Sequence, residues 1–535
     1  MSTPVGPAGT PAPTTVRSLL STGHAAALVT VDGEVLDHSS LSAEVDRLSE
    51  SLRGAGIGPG DRVAIVLPNG PEMALALLAV MSSACAAPLN PKYTADELAF
   101  YLGDLEPAAL LTLEGHSPEG ASAASDMLSI RIAGRGLRLD MLTDGAAGPG
   151  ARAAAGRSPG PNAASTPGGE AGRSPAAHAA STPGPEDEAL VLHTSGTTSR
   201  PKLVPLLQRN LAASARNIAS SLELGPPDRS LNVMPLFHIH GIMAGLLAPL
   251  FAGGSVVATP GFDAFAFGRW LEELQPTYYS AVPTMHHLVL ARTRRREHCT
   301  LRFVRSSSSA LARPLYEGLR ELFGVPVIEV YGMTEASHQM TTNPLPPREA
   351  KPGSVGLPAG IEVAIAATTA DALLAPSTRG EVVVRGPTVI DGYADNPEAN
   401  ATAFFDGWFR TGDEGYLDAD GYLFLTGRIK EQINRGGEKI SPLEVEEALL
   451  GHPSVSEAAV FAIPDPRLGE EVGAVVVPAG EPAPTEAELR EYLRARLAAF
   501  KVPRTIVVRT EIPKGPTGKV QRVGMAQRLG ICPPT

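Results

Sequence analysis

Cysteine, lysine and long apolar runs are scarce in this 535-residue chain. The three cysteines, Cys85, Cys299 and Cys532, lie far apart and share no metal-ligand spacing. An odd, scattered set of this kind excludes a disulfide framework and points to a reducing, cytoplasmic setting. No stretch approaches the roughly 18 apolar residues that a membrane span needs. The opening MSTPVGPAGTPAPTT lacks the apolar centre of a signal peptide. Net charge is −12 with no basic block, which argues against a nucleic-acid partner. Nothing in the composition sets an oligomeric state.

Lysine occurs only at positions 92, 202, 351, 430, 439, 501, 514 and 519, against 37 arginines. A compact ammonium makes contacts that a planar guanidinium cannot, so a lysine here is expected to be present for its own chemistry.

The length is too great for one core and predicts two or more domains. Between about residues 60 and 335, strand-like runs such as DRVAIVLPN, AALLT, SVVAT and YYSAVP alternate with helix-like runs such as PEMALALLAVMSSA and FGRWLEELQP. That alternation predicts an α/β fold with mostly parallel sheets. From about 353 to 426 the pattern becomes β-rich, and 429–535 carries its own α+β pattern. Residues 145–187 are rich in Ala, Gly, Pro and Ser. They hold a tandem repeat, AGRSPGPNAASTPG from Ala155 and AGRSPAAHAASTPG from Ala171. Such composition cannot bury enough surface to order itself and predicts a disordered insertion. The expected division is a disordered tail over 1–20, an N-terminal domain over 21–428 and a C-terminal domain over 429–535.

Four segments carry chemistry. In HTSGTTSRPK, Thr194, Ser195, Thr197 and Thr198 offer hydroxyls, Gly196 permits a tight turn, and Lys202 adds charge. Backbone amides and hydroxyls converging there suit a polyphosphate. A Walker A loop is excluded, because Pro201 precedes Lys202 and Leu203 follows it. In VYGMTEASH, an aromatic ring, a glycine and a carboxylate at a strand end suit a base and Mg²⁺. Asp413 and Arg428 share one polar segment, where an aspartate can take both hydroxyls of a ribose. Lys519 closes a Gly-Lys turn in IPKGPTGKVQR.

In this order and spacing the motifs closely resemble the adenylate-forming superfamily of acyl-CoA synthetases, luciferases and adenylation domains. The resemblance runs from about residue 25 to the end, apart from the repeat. It implies a large N-terminal domain of mixed α/β sheets plus a distorted β-barrel, followed by a small mobile α+β domain. It also implies ATP, Mg²⁺ and CoA as cofactors. By the same resemblance, Thr194 to Lys202 would hold the β- and γ-phosphates, and Tyr331 with Gly332 would meet adenine, alongside Ser308, Ser309 and Ala310. Thr334 would contact the α-phosphate, Glu335 would bind Mg²⁺, and Asp413 and Arg428 would hold the ribose side. Lys519 would bridge the acid's carboxylate and the α-phosphate. Lys430 would be the hinge, and Gly436 and Gly437 would line the channel for the pantetheine thiol.

The acid is expected to be small. Amino-acid-activating relatives carry an aspartate where PLFHIHGIM has His238. The finer resemblance is to oxalate–CoA ligases, which share HTSGTTSRPK with its serine (Ser199), an FHxHG segment and a stretch like MTEASHQMTTNPLP. In that reading His238, His338 and a serine, Ser306, line a polar acid pocket, which a long apolar tail would not tolerate. His240 reads as a wall residue. The pairs His238/His240 and His286/His287 lack the third ligand of a zinc site. A second reading keeps adenylation but drops CoA: a pocket for a small planar anion would serve nitrite, activated to diazotise an aromatic amine, as well as oxalate.

Overall fold

The computed structural model describes residues 13–115, 127–135, 137–143, 181–194, 201–294, 299–514 and 520–531. Four sheets organise them. A seven-stranded sheet runs in the order Arg138–Thr143, Leu128–Arg135, Ala109–Leu113, Arg62–Val66, Cys85–Pro88, Glu188–Thr194, Lys202–Leu207. Its inner strands are parallel and its two edge pairs antiparallel. Arg62–Val66 is buried at every position, as a strand covered on both faces must be. The helix Pro71–Met81 that follows is buried continuously from Met73 to Met81, and Pro71 opens it where the missing N–H costs nothing.

A nine-stranded sheet has a parallel centre built from Ala26–Val29, Ser255–Ala258, Arg229–Asn232, Tyr278–Ala281, Phe303–Ser306 and Val327–Met333. The antiparallel strand His338–Thr342 extends it at one end. One apolar cluster joins both large sheets, with Leu190 and Ile65 from one and Val256 and Phe303 from the other. The α/β reading and the strand and helix segments anticipated above are therefore present.

Two expectations differ from the structure, and a third falls mostly outside the described residues. The β-rich segment is an open five-stranded sheet of Glu362–Ala366, Gly380–Arg385, Trp408–Leu417, Phe404–Phe405 and Leu423–Arg428, and no pairing among the described residues closes it into a barrel. The reason lies at Leu423, whose backbone accepts from Val355 and donates to Gly356, so this edge is taken up by the segment that leads into Leu357–Pro358. Part of the expected tail, 1–20, is ordered. Val16–Leu19 is a helix capped by Thr15, because Val16 and Leu19 are buried and the Val16 amide donates to Gln208 Oε1 at 2.8 Å. Finally, most of the 145–187 insertion lies outside the described residues, but Glu186 is tied down by Arg209 at 2.8 Å.

After Arg428 the chain forms a separate five-stranded sheet from Glu438–Ile440, Ile433–Arg435, Gly469–Pro478, Val455–Asp465 and Thr505–Val508. Its own apolar cluster includes Ile433, Val445, Val460, Val472 and Leu489. The helix Glu486–Arg494 within TEAELREYLRARLAAF packs Leu489 and Leu493 inward and is capped by a Thr485–Glu488 box.

Candidate active site

The site lies where the strand ends of both large sheets approach the five-stranded sheet. Val327–Met333 delivers Tyr331 and Gly332 and runs into a helical turn, Thr334–Ala336, which buries Glu335. Register between Val327–Met333 and His338–Thr342 slips between Tyr331 and Gly332. Gly332 therefore lies so close to the next strand that a Cβ would meet the His338 carbonyl.

Tyr331 donates its hydroxyl to Asp413 Oδ2 at 2.5 Å, and Arg428 Nε reaches Asp413 Oδ1 at 3.1 Å. Asp413 and Arg428 face each other across antiparallel strands, which fixes that pair. Burial raises the Asp413 carboxyl above its ordinary range, while Arg428 opposes the shift. Nearby, Glu335 Oε1 accepts from the Tyr393 hydroxyl at 3.0 Å, and the Lys202 ammonium sits over the Tyr393 ring, 4.2 Å from its centroid. Burial lowers the Lys202 ammonium and raises the Glu335 carboxyl. Both shifts have one cause, the burial that disfavours the charged form of each group.

Of the hydroxyl loop, Thr194 and Lys202 are opposite one another at the mouth of an antiparallel pair. Ser195, Gly196, Thr197, Thr198 and Ser199 lie outside the described residues, as does Lys519. Leu203 is a core residue: its side chain packs with Leu89, Leu110 and Val191, and its carbonyl accepts from Ala394 at 3.1 Å. Thr334 is half-buried, and Ser308, Ser309 and Ala310 form an exposed rim. Lys430 sits in the turn Ile429–Glu431, whose Glu431 pairs with Arg522 at 2.8 Å. Gly436 and Gly437, with φ of +60° and +96°, make the two-residue loop between Ile433–Arg435 and Glu438–Ile440. Positive φ at both positions is what such a hairpin requires.

Behind the Tyr331–Glu335 segment lies a buried polar cluster. Arg305, fully buried, donates from Nη2 to His338 Nε2 at 3.0 Å and to Gln339 Oε1 at 3.1 Å. From Nη1 it reaches Ser280 Oγ at 2.8 Å and His240 Nε2 at 3.3 Å. The His240 and His338 rings stack with centroids 4.8 Å apart. Ser306 is buried beside this cluster, and its Oγ has no hydrogen-bond partner among the described residues. His238, expected here, is only half-buried and packs against Phe237, while His240, two residues on, takes the inner position. Gly241 lets the chain turn there, since a Cβ would lie 2.3 Å from the Pro235 carbonyl. Three residues of this region were missed in the sequence: Arg305, Tyr393 and the inward role of His240. An arginine within the short strand Phe303–Ser306 is the signal that could have found the first.

A model of the AMP-binding enzyme family matches residues 17–394, and one of the AMP-binding enzyme C-terminal domain matches 444–519. The chain belongs to the AMP-binding enzyme family. This ligase is 46% identical over 509 residues to a probable CoA ligase of Humulus lupulus, covering 94% of this chain and 93% of the relative. It is 43% identical over 508 residues to an oxalate–CoA ligase of Arabidopsis thaliana, covering 92% and 93%. Its fold is similar to that of the o-succinylbenzoate CoA synthetase of Bacillus subtilis in complex with ATP and magnesium ion. That likeness has a TM-score of 0.78 and 29% identity, covering 96% of this chain and 99% of the other. The ligase is an AMP-forming acid–CoA ligase that works through an acyl-AMP with ATP, Mg²⁺ and CoA. Its own residues fit that set. Glu335 is a buried hard-oxygen donor beside a cation, as Mg²⁺ with polyphosphate requires. Among the described residues no helix is long and apolar enough to cross a membrane.

Proposed function

We propose that the ligase activates oxalate or a similarly small acid. The observation that carries this reading is the buried polar cluster of His240, Ser280, Ser306, His338 and Gln339 behind Tyr331–Glu335. An alkyl tail lodged there would leave the Ser306 hydroxyl, which has no partner among the described residues, still unsatisfied, at about 1–3 kcal/mol. A two-carbon acid would present oxygens to them. The 43% identity to an oxalate–CoA ligase points the same way.

In the first half-reaction the acid's carboxylate oxygen attacks the α-phosphorus of ATP, and pyrophosphate leaves. Glu335 would hold Mg²⁺, which would supply charge neutralisation to the phosphates, and Thr334 would contact the α-phosphate. Lys202 and the Thr194–Thr198 loop hold the departing phosphates. Tyr331, with Gly332 and the Ser308–Ala310 rim, borders adenine, and Asp413 with Arg428 binds the ribose. Lys519 neutralises the meeting of two anions, and His238 stands at the pocket's outer edge. In the second half-reaction the segment after Arg428 turns about Lys430. Gly436 and Gly437 then border the path of the CoA thiol, whose sulfur attacks the acyl carbon as AMP departs.

Pyrophosphate release measured over short acids and nitrite, with and without CoA, tests this reading. Oxalate turnover that requires CoA supports it. Turnover of nitrite without CoA, or of medium-chain fatty acids in preference to oxalate, overturns it.

A further inference from the structure

Arg305 is a cation in an unusual position. It is 0% exposed, and among the described residues its hydrogen-bond partners are all neutral: two imidazoles, a hydroxyl and an amide oxygen. Burying a charge without a counter-charge is costly, and burial pushes the guanidinium down to about 9. The same side chain settles the protonation of both histidines. A guanidinium only donates, so His338 Nε2 must accept and cannot carry a proton. At His240 the guanidinium also reaches Nε2, from Nη1 at 3.3 Å, so that nitrogen accepts as well, and the Ser280 hydroxyl 2.6 Å away turns its proton toward it. Both rings are thereby neutral, with their single proton on Nδ1. His240 Nδ1 faces Ser308 Oγ at 3.4 Å, and His338 Nδ1 lies on the Gly332 side, 3.2 Å from where a Cβ on that glycine would sit. His338 and Ser308 are also held at φ of +91° and +76°, a backbone region that costs of order 1–3 kcal/mol for such residues and persists where surrounding structure enforces it.

We infer that Arg305 is a specificity-determining positioning residue, which leaves one uncompensated positive charge in the acid pocket and aims two Nδ1–H donors outward. The ligase therefore selects acids that carry a second anionic group. This rests on the small-acid reading above and narrows it. After one carboxylate of oxalate is adenylated, the other remains ionised and answers the Arg305 charge through the imidazoles. A monocarboxylate of equal size leaves that charge unanswered.

The test compares oxalate with glycolate, a monoanion of similar size, by pyrophosphate release from the full chain and from Arg305→Gln. The natural ligase should favour oxalate by at least about 10²-fold in kcat/KM, as expected of a site built around a polar group its competitor lacks. Arg305→Gln should bring the two within about tenfold while leaving the KM for ATP unchanged, a split that mere loosening of the fold would not give. An unchanged oxalate preference in a folded Arg305→Gln variant, judged by its melting temperature, overturns the role of Arg305 and leaves the small-acid reading standing. A natural ligase indifferent to oxalate overturns the small-acid reading itself. Should Arg305→Gln not fold, ¹⁵N spectra of histidine-labelled natural ligase decide: a bare Nε2 on His338 supports the inference, and a protonated Nε2 overturns it.

Discussion

The Tyr331 hydroxyl and the Asp413 carboxylate lie 2.5 Å apart, joining the strand that ends in the YGMTE motif to the five-stranded sheet. Asp413 also holds Arg428, so its removal strands two partners at once. Asp413→Ala is expected to raise the KM for ATP by about 10- to 100-fold, in line with roughly 1.5–3 kcal/mol for hydrogen bonds to a charged group. Pyrophosphate release at varied ATP measures this.

Tyr393 touches Glu335 on one side and Lys202 on the other. Tyr393→Phe keeps the ring under the ammonium and removes only the hydroxyl that orients Glu335. The apparent Mg²⁺ requirement should rise by about tenfold, the lower end for lost partners of a metal-binding carboxylate. A Mg²⁺ titration at saturating ATP reads the shift.

Lys519→Ala should slow adenylation by at least about 10²-fold, the scale seen when an electrostatic donor is removed from a developing charge. Thioester formation from separately supplied acyl-AMP should persist. Loss of both half-reactions together would count against the role given to Lys519.

Gly437→Val places a β-branched residue at φ of +96° in the hairpin loop. Adenylation should stay within about twofold of the natural ligase, while CoA-dependent turnover falls at least tenfold, because strain of about 1–3 kcal/mol would distort that loop. Separate assays of pyrophosphate and thioester distinguish the two.

Glu329 is buried, accepts from the Gly353 amide at 3.0 Å, and is raised by burial from 4.5 to about 7. A carboxyl raised on folding contributes stability that is fully present below its unfolded value. That contribution is lost as pH rises through about 7. Glu329→Gln retains an acceptor for Gly353 and has no charge to bury. Its stability should therefore exceed that of the natural ligase at pH 8 by an amount on the order of 3 kcal/mol, and the difference should vanish below about pH 4. Urea unfolding across this range measures it.

The sheet-forming segments could be read directly, because parallel strands buried on both faces leave unbroken apolar runs such as VAIV and VVA. The residues at strand ends, Tyr331, Glu335 and Asp413, could be read from their motifs. What escaped was set by distance in the chain. Tyr393 reaches Glu335 across 58 residues and carries no local pattern. The exchange of His238 for His240 came from the tight turn at Gly241, whose closeness to Pro235 appears only once the chain is folded. The open sheet arose in the same way, since the Leu423 edge is taken up by Val355 and Gly356 rather than by its opposite edge.

Leu203 occupies the position after Lys202 and is 7% exposed, with its carbonyl bound to the Ala394 amide. The ammonium is thus set by a strand anchored in the core, and the segment bearing Tyr393 is sewn to that same strand. Lys202, Tyr393 and Glu335 thereby inherit their geometry from the core as one unit, so a change in the packing around Leu203 would shift all three together.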